Sequence, residues 1–152
     1  MKKKLKINVP NGYVIDKEES TFEYVVFKKI DNVIKWNENY NGVEIKADGE
    51  HFVIEVNRPS YYCTWDDAVR FYNESCMWKL PTVKQLQVLA KHIDKVNEVI
   101  QENNGYKIYQ CWYWSCEEVN KFKAWFVHMS SGDITHHYKY LNGHHVRGVH
   151  NL

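Results

Sequence analysis

Tyr113-Trp114-Ser115, Ala124-Trp125-Phe126-Val127, Ser131-Gly132 and Val146-Arg147-Gly148-Val149 follow one another within residues 111–149. Aromatic and β-branched side chains pack well on a pleated surface, so the hydrophobic runs read as short strands. Polar residues 117–123 separate the first two runs, and Ser130-Ser131-Gly132 reads as a hairpin turn. Before the last run lies Thr135-His136-His137-Tyr138-Lys139-Tyr140-Leu141-Asn142-Gly143-His144-His145, dense in His and Tyr. The flanking runs are expected to be scaffold, and the His/Tyr run to carry function.

Upstream the pattern is helical. Thr82 is placed to cap a helix, with Pro81 before it and Gln85 at the third helical position. Leu86, Leu89, Ile93, Val96 and Ile100 then recur at helical spacing until Asn103-Asn104-Gly105, which predicts one packing helix over about 82–102. His92 reads as an exposed or half-exposed residue of that helix. Thr64-Trp65-Asp66-Asp67 predicts an earlier helix that starts at Thr64 and sets Trp65, Ala68, Val69 and Tyr72 on one face.

Residues 1–57 read as β structure. Leu5, Ile7 and Val9 alternate with polar residues up to the turn Pro10-Asn11-Gly12, and a second strand is expected over Phe22-Glu23-Tyr24-Val25-Val26-Phe27. Asn41-Gly42 and Asp48-Gly49 are dipeptides that tolerate positive φ, and they flank Val43-Glu44-Ile45-Lys46. Phe52-Val53-Ile54-Glu55-Val56 answers on the far side as the second arm of a hairpin. Arg58-Pro59-Ser60 marks the expected sub-boundary, with a β extension over 1–57 and the main domain over 58–152. Strands, then helices, then a meander make an α+β fold.

Composition narrows the function classes. The chain has 152 residues, 44% hydrophobic and 26% charged, which suits one folded domain. A formal charge of +1 gives no global field for nucleic acid or an anionic membrane. Met1-Lys2-Lys3-Lys4 is a basic start, but Lys6, Asn8 and Asn11 interrupt any apolar signal core. No run is long and apolar enough for a membrane span, so the chain is expected in the cytoplasm or in a phage particle. Cys63, Cys76, Cys111 and Cys116 are then expected to be free, buried thiols.

The ordered set Thr64-Trp65-Asp66-Asp67-Ala68, Trp78-Lys79-Leu80-Pro81-Thr82, Gln85-Leu86, Tyr113-Trp114-Ser115, Ala124-Trp125, Ser131-Gly132 and Val146-Arg147 resembles a known family. It is similar to the bacterial and phage domains of C-type lectin-like fold, in the branch related to the sulfatase-modifying factors (formylglycine-generating enzymes). Lys79 stands where that branch usually has Arg, and Cys116 where it has a second Ser. The resemblance covers about residues 61–149. It implies two helices packed on a short-stranded, mostly antiparallel sheet. Trp114 and Trp125 would form the aromatic centre, and Arg147 would pair with a helix acid or with carbonyls.

Four functional readings follow. A copper-dependent enzyme of the sulfatase-modifying type would use the close pair Cys111 and Cys116, since copper(I) favours thiolates. The chain is about half the usual length of those enzymes, and the family's catalytic cysteine segment has no counterpart here. Calcium-dependent sugar binding needs grouped oxygen ligands, yet residues 130–149 hold a single acid, Asp133. A His-metal site is disfavoured by alternation: with Asn142-Gly143 as a two-residue turn, Tyr140 faces His145, while His137 and His144 point the other way. No face then collects three His ligands, and no metal or cofactor is expected.

The fourth reading is a non-catalytic binder of a protein or glycan, in a bacterial or phage recognition protein, with a homo-oligomer compatible. Its ligand-binding residues would be His136, Tyr138, Tyr140, Asn142, His144 and His145, because Tyr, His and Asn combine rigid contact area with adaptable hydrogen bonds. Retroelement-diversified lectin-like proteins randomise the adenines of AAC codons in this region. Every residue over 133–145 except Lys139 is one that such a codon can encode.

Overall fold

The computed structural model describes residues 7–21, 24–29 and 32–152. Leu5, Phe22 and Glu23, which the sequence reading places in strands, lie outside the described residues, and residues 7–10 form no strand. The chain divides into two compact units, 1–32 and 33–152, whereas the sequence places its sub-boundary at Arg58-Pro59-Ser60. In the first unit β1 (Tyr13–Asp16) and β2 (Val26–Lys29) pair antiparallel.

The second unit opens with β3 (Val33–Asn37), β4 (Gly42–Ala47), β5 (Glu50–Glu55) and β6 (Tyr61–Cys63). Helices α1 (Trp65–Asn73), α2 (Val83–Lys91) and α3 (Ile93–Glu102) follow. Strands β7 (Trp112–Glu118), β8 (Lys123–His128), β9 (Ile134–Tyr138), β10 (His144–Val146) and β11 (Val149–Asn151) complete it. One sheet runs β11-β5-β4-β3 and the other β6-β10-β7-β8-β9. The β10–β7 pair is parallel and the remaining pairs are antiparallel, as an α+β reading requires.

Local signals account for the elements that the sequence anticipates. Asp48 (φ 50°) and Gly49 (φ 82°) form the two-residue turn between β4 and β5, a conformation open to Asp and natural to Gly. Thr82 Oγ1 accepts from Gln85 N at 3.1 Å while Gln85 Oε1 accepts from Thr82 N at 3.0 Å, a reciprocal cap. Thr64 caps α1 through Asp67 N at 3.4 Å. The expected helix over 82–102 is broken at His92 (φ −111°, ψ 18°). Helix α2 packs on β5, β7 and β8 while α3 packs on β3 and β4, and the break lets each half lie on its own strands. Strands β3 and β6 are additions to the sequence reading.

Two cores result. Val43, Ile45, Phe52 and Ile54 meet Leu86, Leu89, Val96 and Ile100, with Tyr113 and Val127 reaching in from the second sheet. Trp114, Phe126, Ala124 and Val146 meet Trp65, Ala68 and Tyr72 of α1. Burying each large apolar side chain contributes about 1.5–3 kcal/mol. Trp125 is half-buried and outside both cores, because the β7–β8 register sets Phe126, and not Trp125, opposite Trp114. The expected Trp114–Trp125 centre is thus a Trp114–Phe126 pair, 5.4 Å between rings. The indole N–H groups are satisfied: Trp114 donates to Cys63 O (3.0 Å) and Trp65 to Ser115 O (2.8 Å).

Arg147 is 1% exposed and donates to Glu55 O (3.0 Å), Tyr106 O (2.9 Å), Lys107 O (2.9 Å) and Ser60 Oγ (2.9 Å). Beside it the buried Glu55 carboxylate accepts from Arg58, from Tyr72 Oη and from Gly148 N. A Lys at 147 cannot reproduce the planar fork and leaves buried carbonyls unpaired. Arg147→Lys is therefore expected to cost about 3 kcal/mol, read as a lower urea midpoint at unchanged slope. An unshifted midpoint would mean that the network adds nothing to stability.

Candidate binding site

The His/Tyr run does not fold as the hairpin that Asn142-Gly143 suggests. Strand β10 does not pair with β9. It inserts between β6 (His144↔Cys63, His145↔Tyr62) and β7 (His145↔Tyr113). Lys139 diverts the chain. Its N–H donates to Phe122 O (2.9 Å) and its carbonyl accepts from Trp65 N (3.2 Å). Its Nζ donates to Lys121 O (3.2 Å), lies 3.4 Å from Glu118 and sits 4.5 Å above the Trp65 ring. This 3%-exposed lysine pins the loop to the start of α1. The chain then returns on the far side of β7.

The six residues singled out from the sequence therefore separate. His136 meets Trp125 edge-on (5.1 Å), and Tyr138 lies under the Lys123 ammonium (4.7 Å). Tyr140 is exposed and lines an open cleft of about 610 Å³ with Thr64, Asp66, Asp67 and Arg70 of the α1 start. Asn142 is half-buried. His144 turns inward and stacks on Phe126 (4.2 Å, 19°), with Trp114 edge-on at 4.7 Å. His145 points to the other face, the one that carries His136 and Tyr138, but β7 and β8 lie between β10 and β9, so it does not meet them as the hairpin would require.

His145 is the centre of a different group. Its ring lies 5.2 Å from Tyr62, 5.6 Å from Tyr113 and 5.9 Å from Tyr109, and its Nδ1 is 3.1 Å from Cys111 Sγ. Tyr62 (62% exposed) and Tyr109 (57%) stand as open rings on either side. Gly143 packs against the Tyr62 ring so closely that any Cβ there would collide with it, so the end of the loop after β9 borders the same patch. Neither Tyr62 nor Tyr109 is anticipated from the sequence. The available signal was Tyr61-Tyr62 directly after Arg58-Pro59-Ser60, a place read as a boundary.

Burial shifts four titratable groups on and beside β10 toward their neutral forms. Burial, then His137 and His145, pushes His144 down to about 4. Burial, then Arg147, lowers His145. Burial raises the Cys111 thiol and pushes Tyr113 up to about 12. Cys111 is thus a protonated thiol beside a neutral imidazole, not an activated nucleophile. The four cysteines are free, but only Cys63 is buried; Cys76 and Cys116 are exposed, against expectation. Five residues of extended chain at about 3.3 Å each set Cys111 and Cys116 on the order of 16 Å apart, too far to share an ion.

Stability should follow His144. Its folded-state value lies below the ordinary 6.5, so the unfolded chain takes the proton first as pH falls. That stabilisation is complete above about 6.5 and lost as pH falls toward about 4. The urea midpoint should fall from pH 7 to pH 5, and His144→Phe, which keeps the stack on Phe126, should flatten the slope. Equal slopes in both proteins would place the pH dependence elsewhere.

A family model described as the Lcl C-terminal domain matches residues 29–150. The match takes in β3, β4 and β5, which the sequence resemblance over about 61–149 leaves outside. No curated protein matches the chain.

Proposed function

The chain belongs to the Lcl C-terminal domain family, of C-type lectin-like fold, and from that premise we propose a non-catalytic module that binds a glycan or protein through an aromatic patch. The patch comprises Tyr62, Tyr109 and His145, with the adjoining loop residues Tyr140 and Asn142. The observation that carries this reading is the pair of exposed rings flanking His145. Tyrosines offer flat contact area with few rotors to freeze, and the hydroxyls and imidazole add hydrogen bonds. Burial holds the His145 imidazole toward its neutral form, so the patch suits a neutral sugar face or a peptide better than an anion. An enzyme working through Cys111 and Cys116 is disfavoured by their separation and by the protonated Cys111 thiol.

The finer form of the proposal is recognition of a host surface by a bacterial or phage protein, with residues 133–145 diversified by a retroelement. In support, Lys139, which an AAC-derived codon cannot encode, is the residue that anchors the loop. A reverse-transcriptase gene beside a near-copy of the 3′ coding region would establish diversification, and a genomic neighbourhood without them would end that form of the proposal.

The binding test uses arrays of immobilised glycans and of peptides. Tyr62→Ala and Tyr109→Ala should each weaken the captured signal by at least about tenfold, the scale of an aromatic hot spot. Melting temperatures should stay unchanged, since both rings are exposed. Binding at wild-type strength in both variants would rule out this patch.

A further inference from the structure

We infer that the cleft between α1, the segment 79–82 and the end of β7 is a site for a small organic carboxylate with an apolar body. The cleft holds about 580 Å³, within the roughly 300–1,000 Å³ of small-molecule sites. Trp65, Val69 and Tyr72 recur at helical spacing on one face of α1 and, with Leu80, supply its apolar lining. The polar atoms of the two rings are already used. Trp65 Nε1 donates to Ser115 O (2.8 Å) and Tyr72 Oη to Glu55 (3.0 Å), so what these rings offer a ligand is carbon. The opposite wall is pinned on both sides. Lys79 exchanges two backbone hydrogen bonds with Val149 (2.9 and 2.8 Å), and Pro81 O accepts from Cys116 N (2.8 Å).

The rim decides the charge of the ligand. The cap of α2 fixes the sense of one amide: Gln85 Oε1 accepts from Thr82 N, so Gln85 presents Nε2 to Asn151. An amide nitrogen only donates, so Asn151 answers with Oδ1, and its Nδ2 remains as an unspent donor. Lys79 lines the same cleft, and its Nζ has no hydrogen bond or ion pair among the described residues. The acid at the cleft, Glu118, is balanced by Lys139 Nζ at 3.4 Å. An ammonium and an amide donor without partners, beside an apolar wall, match the two oxygens of a carboxylate and its hydrocarbon body. No residue is shared with the Tyr62–His145 patch, so neither reading depends on the other.

The test is calorimetric titration of the full chain with octanoate, phenylacetate and indoleacetate, each beside its primary amide, which keeps the body and removes the charge. At least one acid should bind saturably, one per chain, and at least about tenfold more tightly than its amide, the scale of a charge-assisted hydrogen bond. Lys79→Gln should remove that preference and leave amide binding unchanged, which a misfolded variant would not do. Occupancy should also slow alkylation of Cys116, an exposed thiol at the cleft, by iodoacetamide, and leave that of Cys111 at the aromatic patch unchanged. Absence of saturable binding by all three acids, equal affinity for acid and amide, a Lys79→Gln variant with the wild-type preference, or an unprotected Cys116 at saturation would each overturn the inference.

Discussion

A guanidinium that cannot be left unpaired holds the main unit together. Arg147 is buried where the ends of β5 and β10 approach the chain after α3, and its donors go to three backbone carbonyls and a hydroxyl. A buried cation surrounded by acceptors tolerates little movement, because each lost bond exposes a full desolvation penalty. Glu55 works against it from the other side: its carboxylate accepts from Gly148 N and balances Arg58. Gly148 has no side-chain option, since a Cβ would lie 2.7 Å from Trp78 Cβ and 2.8 Å from Glu55 Oε2. Both sheets depend on this junction for their last strands.

The binding patch follows from what the junction and Lys139 do to the chain between them. Lys139 holds one end of the loop at α1, and the β10 pairing with β6 and β7 holds the other. Alternation along β10 then sends His144 to one face and His145 to the other. Two neighbouring histidines thus enter different surroundings: His144 an aromatic wall with a second imidazole, His145 a ring of tyrosines. Neither is left as an exposed cation. Burial shifts both imidazoles toward their neutral forms, an effect of this packing that the near-zero net charge of the chain does not show.

Features encoded within a few residues were legible in the sequence. The Asp48-Gly49 turn, the Thr82/Gln85 cap and the start of α1 at Thr64 need only local geometry, and each occurs where its residues indicate. The ordered aromatic motifs carried the fold family. What escaped depends on distant partners. The break at His92 leaves the apolar spacing of Leu89, Ile93 and Val96 intact, and arises because two sets of strands wait beneath one helical run. Asn142-Gly143 has a hairpin composition, yet Lys139 redirects the chain before the turn can form. Tyr62 became part of the patch only through β10, which lies some 80 residues later and whose pairing no local signal reveals.

The short segment 144–151 has a kinetic meaning as well as an architectural one. It supplies β10 to the interior of one sheet and β11 to the edge of the other. Its bonds to Glu55 span 92 and 93 residues. Closing a loop of that length costs about 4 kcal/mol of chain entropy before any of these contacts forms. A growing chain reaches this segment only after every strand it joins has been made. Until it docks, β5 and β7 present open edges to other molecules, so the interval between synthesis and docking is when misassembly competes with folding.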